Sequence, residues 1–224
     1  DYVVGALLDR LDELGIAEDT LVIVTSDNGP EVPTVINMRK THKHDGARPW
    51  RGVKRDNWEG GHRVPMLVRW PGKVKPGSIS EQTVCLTDLM ATCASLVEYV
   101  LPNDAAEDGF DLSPIIFGEA KKTIRLFTLH QTISLQLAIR HGEWKYLDHK
   151  GSGGSNYRSD GEWGLKRYAL PEKSPHAPGQ LYNLKDDPGE TNNLYFTKPK
   201  IRKKLKEKLD ELNRIGRSLP LEYS

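Results

Sequence analysis

Thr20-Leu21-Val22-Ile23-Val24-Thr25-Ser26-Asp27-Asn28-Gly29-Pro30-Glu31 is the stretch from which the fold is read. Its apolar, β-branched run is long enough for one buried strand, and it stops at two oxygen-bearing side chains followed by Gly and Pro. A strand covered on both faces shows such a continuous run, and ligands in open α/β sheets gather beyond the carboxyl ends of these strands. Asp27 and Asn28 therefore stand where chemistry is expected. Asn-Gly is also an ordinary turn pair. A hairpin here would need a matching alternating strand after Gly29. Pro30, Pro33 and a polar, basic stretch follow instead, so the sequence predicts a loop leaving the sheet.

Upstream of the strand, Val3, Val4, Leu7, Leu8, Leu11 and Leu14 recur at helical spacing, with Asp9, Arg10, Asp12 and Glu13 on the other face and Gly15 as a stop. One helix feeding one strand makes no parallel sheet. The expectation is that partner strands precede residue 1 and that the chain is a carboxyl-terminal portion of a larger protein. Its 224 residues carry a net charge of +1, which gives no global case for nucleic acid or an anionic membrane surface. No apolar run approaches the roughly 20 residues of a membrane span. Cys85 and Cys93 fall in one predicted helix, about 12 Å apart along its axis. That exceeds disulfide reach, so both are expected as buried small hydrophobes.

Residues 30–57 are rich in Lys, Arg and His and read as a solvated loop or a linker. His42 and His44 lack the cysteines or helical pairing that zinc would call for. Val64, Met66, Val68 and Trp70 alternate as an edge strand beside Pro65, and a helix is expected over Leu86 to Tyr99. The composition then changes. Ile124 to His130, Gln136 to Ile139, Trp144 to Leu147 and Gln180 to Leu184 read as short strands, with a hairpin turn at His141-Gly142. Residues 151–179 form a long polar segment that is either functional or unstructured. Ile201, Leu205, Leu209, Leu212 and Ile215 make the buried stripe of a last helix, Pro199 to Ile215, whose charged side is a solvated face.

Taken together, several segments resemble the type I, formylglycine-dependent sulfatases of the alkaline phosphatase superfamily. These are Ser26-Asp27-Asn28-Gly29-Pro30, Arg51-Gly52-Val53-Lys54, Glu59-Gly60-Gly61-His62-Arg63-Val64-Pro65 and Arg69-Trp70-Pro71-Gly72. Arg140 to Tyr146 and Leu181 to Leu194 resemble the same enzymes' carboxyl-terminal subdomain. The resemblance implies an α/β fold: residues 1–120 as the C-terminal part of an alkaline-phosphatase-like α/β sandwich, and residues 121–224 as a small antiparallel sheet with a C-terminal helix (α+β). The Cys/Ser-x-Pro-x-Arg segment that supplies the modified nucleophile does not occur in this chain.

The resemblance further implies that Asp27 and Asn28 are ligands of a divalent cation, Ca²⁺ or alternatively Mg²⁺, in keeping with their hard oxygen donors. It makes Lys54 a sulfate contact that stabilises the leaving oxygen, and it places His44 and Arg55 among substrate-contacting residues. Glu59, Gly60, Gly61 and Arg63 match a stretch that positions the lysine loop. Formylglycine is expected from a missing N-terminal half of the same protein, leaving this chain alone inactive. The implied activity is hydrolysis of an organic sulfate ester. Arg48, Trp50 and His44, with Tyr157, Arg158 and Trp163, point to a sulfated carbohydrate held by stacking and cationic contacts. The competing readings are a phosphodiesterase or phosphonate hydrolase of the superfamily, against which Asn28 in place of His weighs, and a non-catalytic module binding sulfated glycan. Family habit implies export to a periplasm, the cell exterior or a lysosome.

Overall fold

The computed structural model describes residues 1–158 and 165–220, so Trp163 lies outside the described residues. The described chain divides into two compact units, one of residues 1–26, 65–125 and 219–220, the other of residues 27–64, 126–158 and 165–218. No described helix is long and apolar enough to cross a membrane.

In the first unit, α1 (Tyr2–Glu13) leads to β1 (Val22–Thr25), which pairs antiparallel with β2 (Met66–Arg69), Val22 opposite Arg69 and Thr25 opposite Met66. The partner found for β1 is thus a strand downstream of it, in a two-stranded sheet. The expected stripe on α1 forms as a helix, but Val3 and Leu7 are exposed and none of its residues is buried. The cysteine-bearing helix is shorter than predicted, α3 (Asp88–Leu96), followed by α4 (Ser113–Ile116). Asp88 sets its start. The buried carboxylate accepts N–H bonds from Cys85 at 2.8 Å and Phe110 at 2.9 Å and pairs with buried Arg125. Cys85 consequently sits in the turn before the helix, half-buried, and Cys93 is exposed, so neither is the buried hydrophobe expected.

The second unit holds the largest surprise. Residues 30–57 are not all loop: α2 spans Val32–His42. Pro33 lies in its first turn, where a missing N–H costs nothing, and Arg39, Lys40 and His42 fall in its last turn, where cations suit the helix dipole. Glu31 caps it by accepting from the Val32 N–H at 2.9 Å, and left-handed Lys43 ends it.

Four antiparallel strands follow in order β3 (Thr128–Gln131), β4 (Leu137–His141), β5 (Trp144–Leu147) and β6 (Gln180–Asn183). His141 pairs with Trp144 across a two-residue turn with Gly142 at positive φ. The period of two then sorts the sheet. Ile139, Tyr146 and Leu181 face α5 (Pro199–Ile215), meeting Leu205, Leu209 and Leu212. Ile215, expected in that stripe, lies past its buried end and is 48% exposed. The opposite face presents Ala138, Leu147 and Tyr182 to Trp58 of the 51–62 segment. Arg140 and Lys145 share that face.

Candidate functional site

Asp27 and Asn28 follow β1 directly, and the Asn28 amide donates to the Asp27 carboxylate. The next two residues fix this pair against the segment that carries Lys54. Gly29 donates its N–H to the Gly61 carbonyl at 2.9 Å, and Pro30 accepts the Lys54 N–H at 3.0 Å. A Cβ at Gly29 would come within 1.9 Å of the Gly60 carbonyl oxygen, so only glycine allows this approach.

Glu31 joins the two predicted cations. Arg55 grips its carboxylate with two nitrogens at 2.6 and 3.0 Å, while the Lys54 ammonium stands looser at 3.4 Å. The Arg55 hydrogen bonds hold Glu31 down at a pKa of about 2 against the opposing effect of burial. Arg55 itself is a non-glycine residue at φ 82°, a strained conformation of the kind that clusters at functional sites. It persists because the chain on both sides is tied down. Asp56, buried, accepts from the Val53 N–H at 2.9 Å, the Ser155 N–H at 3.0 Å and the Tyr157 hydroxyl at 2.6 Å. The start of the long polar segment is therefore folded against the lysine loop. Tyr157, expected on a sugar, is instead engaged by Asp56 and packed edge-on to Trp58.

The remaining predicted substrate residues are more open. His44 is exposed just past α2, and no hydrogen bond or ion pair among the described residues joins its side chain to Asp27, Asn28 or Lys54. Arg48 is exposed, with Asp45 at 3.4 Å. Half-buried Trp50 carries the Arg63 guanidinium over its ring at 4.6 Å. Arg158 is exposed.

Behind the lysine loop lies a buried ionic cluster that the sequence did not reveal. Glu59, fully buried, meets Lys145 at 2.8 Å, Arg140 at 3.0 Å and Arg63 at 3.3 Å. Lys145, fully buried on β5, also reaches His62 Nε2 at 2.9 Å and Glu190 at 3.5 Å. The second Glu190 oxygen accepts the Glu59 N–H at 2.7 Å, and its carbonyl accepts from Arg51 at 2.9 Å. Burial pushes against ionisation of Glu59, but the Lys145 and Arg140 charges outweigh it and hold the carboxyl well below its usual range. Burial raises Glu190 to about 7 and, with Lys145 close by, lowers His62 to about 3. The one available signal was Lys145 itself, a lysine between Trp144 and Tyr146 in an apolar strand, which needs buried carboxylates opposite.

Glu59, His62 and His130 bring ligand atoms within 4.8 Å of one another, the spacing of a metal site. The group does not fit a dication. The two imidazoles are stacked, 3.8 Å apart and 19° from parallel, so no point lies in both ring planes at bonding distance. The Lys145 ammonium already fills the cationic position between Glu59 and His62. Asp27 and Asn28 suit one by donor type: they carry adjacent hard oxygens, which Ca²⁺ prefers, on a segment anchored by its own backbone, and the Asn28 amide, whose nitrogen here faces Asp27, would turn to present its oxygen.

Residues 1–99 match the family model described as Sulfatase. The chain is 32% identical over 215 residues to an N-acetylgalactosamine-6-O-sulfatase of Bacteroides thetaiotaomicron, covering 95% of this chain and 40% of that protein. It is 33% identical over 228 residues to mouse steryl-sulfatase, covering 97% and 35%, and 34% identical over 199 residues to human arylsulfatase A, covering 87% and 37%. It thus spans about two fifths of the length of these curated relatives. A solved structure described as concerning metabolism of multiple glycosaminoglycans by B. thetaiotaomicron superposes with a TM-score of 0.79 at 29% identity, over 95% of this chain and 42% of that one. A sulfatase from Pseudoalteromonas sp., 24% identical, shares the fold with a TM-score of 0.67 over 96% and 42%. These matches run through both units, and the chain belongs to the sulfatase family.

Proposed function

We propose that this chain forms part of a sulfuric ester hydrolase, supplying two oxygen ligands for a hard dication and one cation for the departing group. The observation that carries this reading is the 3.0 Å bond from the Lys54 N–H to Pro30, which ties the lysine to the segment bearing Asp27 and Asn28. A Ca²⁺ ion held by Asp27 and Asn28 would supply positive charge for the sulfate oxygens. Its 6–8 ligands exceed what these two residues offer, so the others, with the formylglycine nucleophile, would come from an upstream portion of the protein.

The Glu31 arrangement suits Lys54 to its part. Because Arg55 neutralises Glu31 through two bonds, the looser Lys54 ammonium can turn to a sulfate oxygen without stranding that carboxylate. Charge grows on the ester oxygen as the S–O bond breaks, and an ammonium there favours the transition state over the ground state. Arg55 enters chiefly as the partner of Glu31. Of the residues expected to meet a sugar, His44, Arg48 and Arg158 are exposed and Trp50 is half-buried. A sulfated carbohydrate is the substrate class we favour, supported by the N-acetylgalactosamine-6-O-sulfatase relative and by that set of cations and aromatics.

Rates on matched aryl sulfates, phosphodiesters and sulfated saccharides, with bound metal identified by mass spectrometry, test the reading. Calcium and a sulfate preference are expected. Bound zinc with a phosphate-ester preference would reject it, and turnover confined to aryl sulfates would reject the carbohydrate.

A further inference from the structure

Residues 198–208, at the start of α5, hold seven lysines and arginines and one acid. They carry six net positive charges in a chain whose total is +1, so all other residues together carry a net −5. The arrangement opposes the helix. Its first turn has no acidic residue, although the dipole there favours anions. Lys206 and Lys208 are neutralised by Asp210 at 2.5 Å and Glu211 at 2.9 Å, and Lys203 stands more loosely, 3.8 Å from Glu207. Lys198, Lys200 and Lys204 are exposed and have no ion pair among the described residues. Lys200, Arg202, Lys203 and Lys206 line a groove of about 450 Å³ with Tyr195 and Pro199. The carboxylate in this groove, Asp148, is already taken by Lys206 at 3.2 Å and the Tyr146 hydroxyl at 2.7 Å.

We infer that this groove and the basic start of α5 bind a sulfated polysaccharide chain, as a docking surface separate from the site that would cleave it. The inference rests on the sulfate-ester reading for the chemistry of its occupant. The surface lies on the sheet face opposite the one covered by the Glu59 segment, since α5 packs on Ile139 and Tyr146 while Lys145 points the other way. Charge complementarity selects a polyanion, and the local packing selects among polyanions. Stacking of successive bases needs several open aromatic faces, but Tyr146 is 3% exposed, the Tyr195 ring is covered by Arg202 at 4.2 Å, and Phe196, 57% exposed beside Tyr195, offers one ring. Lying on a lipid surface needs an apolar helix face, and Leu205, Leu209 and Leu212 are buried against the sheet. Sulfate groups need only the cations.

The test measures binding of the full protein to immobilised dextran sulfate across a salt series, with uncharged dextran, a single-stranded DNA oligomer and anionic phosphatidylserine vesicles as comparison probes. Lys200→Glu/Lys203→Glu places acids where the helix dipole favours them, so folding is retained. Lys121→Glu/Lys122→Glu makes the same change in net charge elsewhere on the chain. The first pair is expected to weaken dextran sulfate binding about tenfold near 0.15 M salt and to reduce the salt slope by about two, the control pair to change it less than about twofold. Equal losses in both variants, no loss in either, or tighter binding to DNA or vesicles than to dextran sulfate would overturn the inference. Turnover of a monosulfated saccharide, followed in parallel, is expected to be unchanged in Lys200→Glu/Lys203→Glu. Absence of turnover in the unmodified protein would count against the hydrolase reading while the binding result stands separately.

Discussion

The Lys54 main chain and the Pro30 carbonyl, 24 residues apart in sequence, are joined by a hydrogen bond of 3.0 Å, two residues beyond Asn28. The bond is made by the backbone, so a side-chain change at 54 leaves it in place. Lys54→Ala is therefore expected to lower turnover of a sulfate ester about 10²- to 10³-fold with the melting temperature unchanged. Steady-state kinetics and thermal melting check it. A parallel fall in both would assign Lys54 to the scaffold.

Gly29 approaches the Gly60 carbonyl so closely that Gly29→Ala must push the two segments apart. Overpacking of this kind costs about 1–3 kcal/mol. The same movement displaces Asn28, so divalent-cation affinity should fall with stability. Urea denaturation and calorimetric titration read the two effects, and unaltered affinity in a destabilised variant would detach Asn28 from the metal.

Lys145 is the cation shared by two buried carboxylates. Lys145→Met keeps the stem of the side chain and removes the charge, leaving Glu59 to Arg140 and Arg63 and stranding Glu190. Removing one partner of a buried ion pair costs about 3–5 kcal/mol. A loss under about 1 kcal/mol by urea denaturation would show that water already reaches the cluster.

Glu190 and His62 bias stability in opposite directions with pH. With its folded pKa raised from 4.5 to about 7, Glu190 contributes stability that is full below pH 4.5 and lost as pH rises through 7. His62, lowered from 6.5 to about 3, makes the fold gain stability as pH rises between those values. Glu190→Gln removes the first effect and spares the second. Between pH 4.5 and 7, its stability should rise more steeply with pH than that of the unmodified protein, by up to about 1.4 kcal/mol per pH unit. An identical slope in denaturation midpoints across that window would refute the raised carboxyl.

Where local chemistry decides the structure, the sequence was legible. The helix from Pro199 to Ile215 has both ends written in the sequence, because a proline opens it and Gly216, in the left-handed region, closes it. The strand Trp144–Leu147 and its turn were fixed by Gly142. The helix Val32–His42 is hidden in the sequence because Pro30 and Pro33 read as breakers, whereas Pro33 sits in the first turn and Glu31 provides the cap. The Asp27-Asn28-Gly29 segment could be picked out by its place after a strand. The hub that braces it could not: Glu59 meets Lys145 across 86 residues and Glu190 across 131, separations over which no periodicity speaks.

The account turns on Asp27 and Asn28 holding a hard dication beside Lys54, and calorimetric Ca²⁺ titration of the full protein tests that most directly. It predicts one Ca²⁺ bound per chain by the unmodified protein and loss of that binding in Asp27→Ala, with melting in the presence of chelator the same for both. Undiminished Ca²⁺ binding in Asp27→Ala, or none in the unmodified protein, would contradict it.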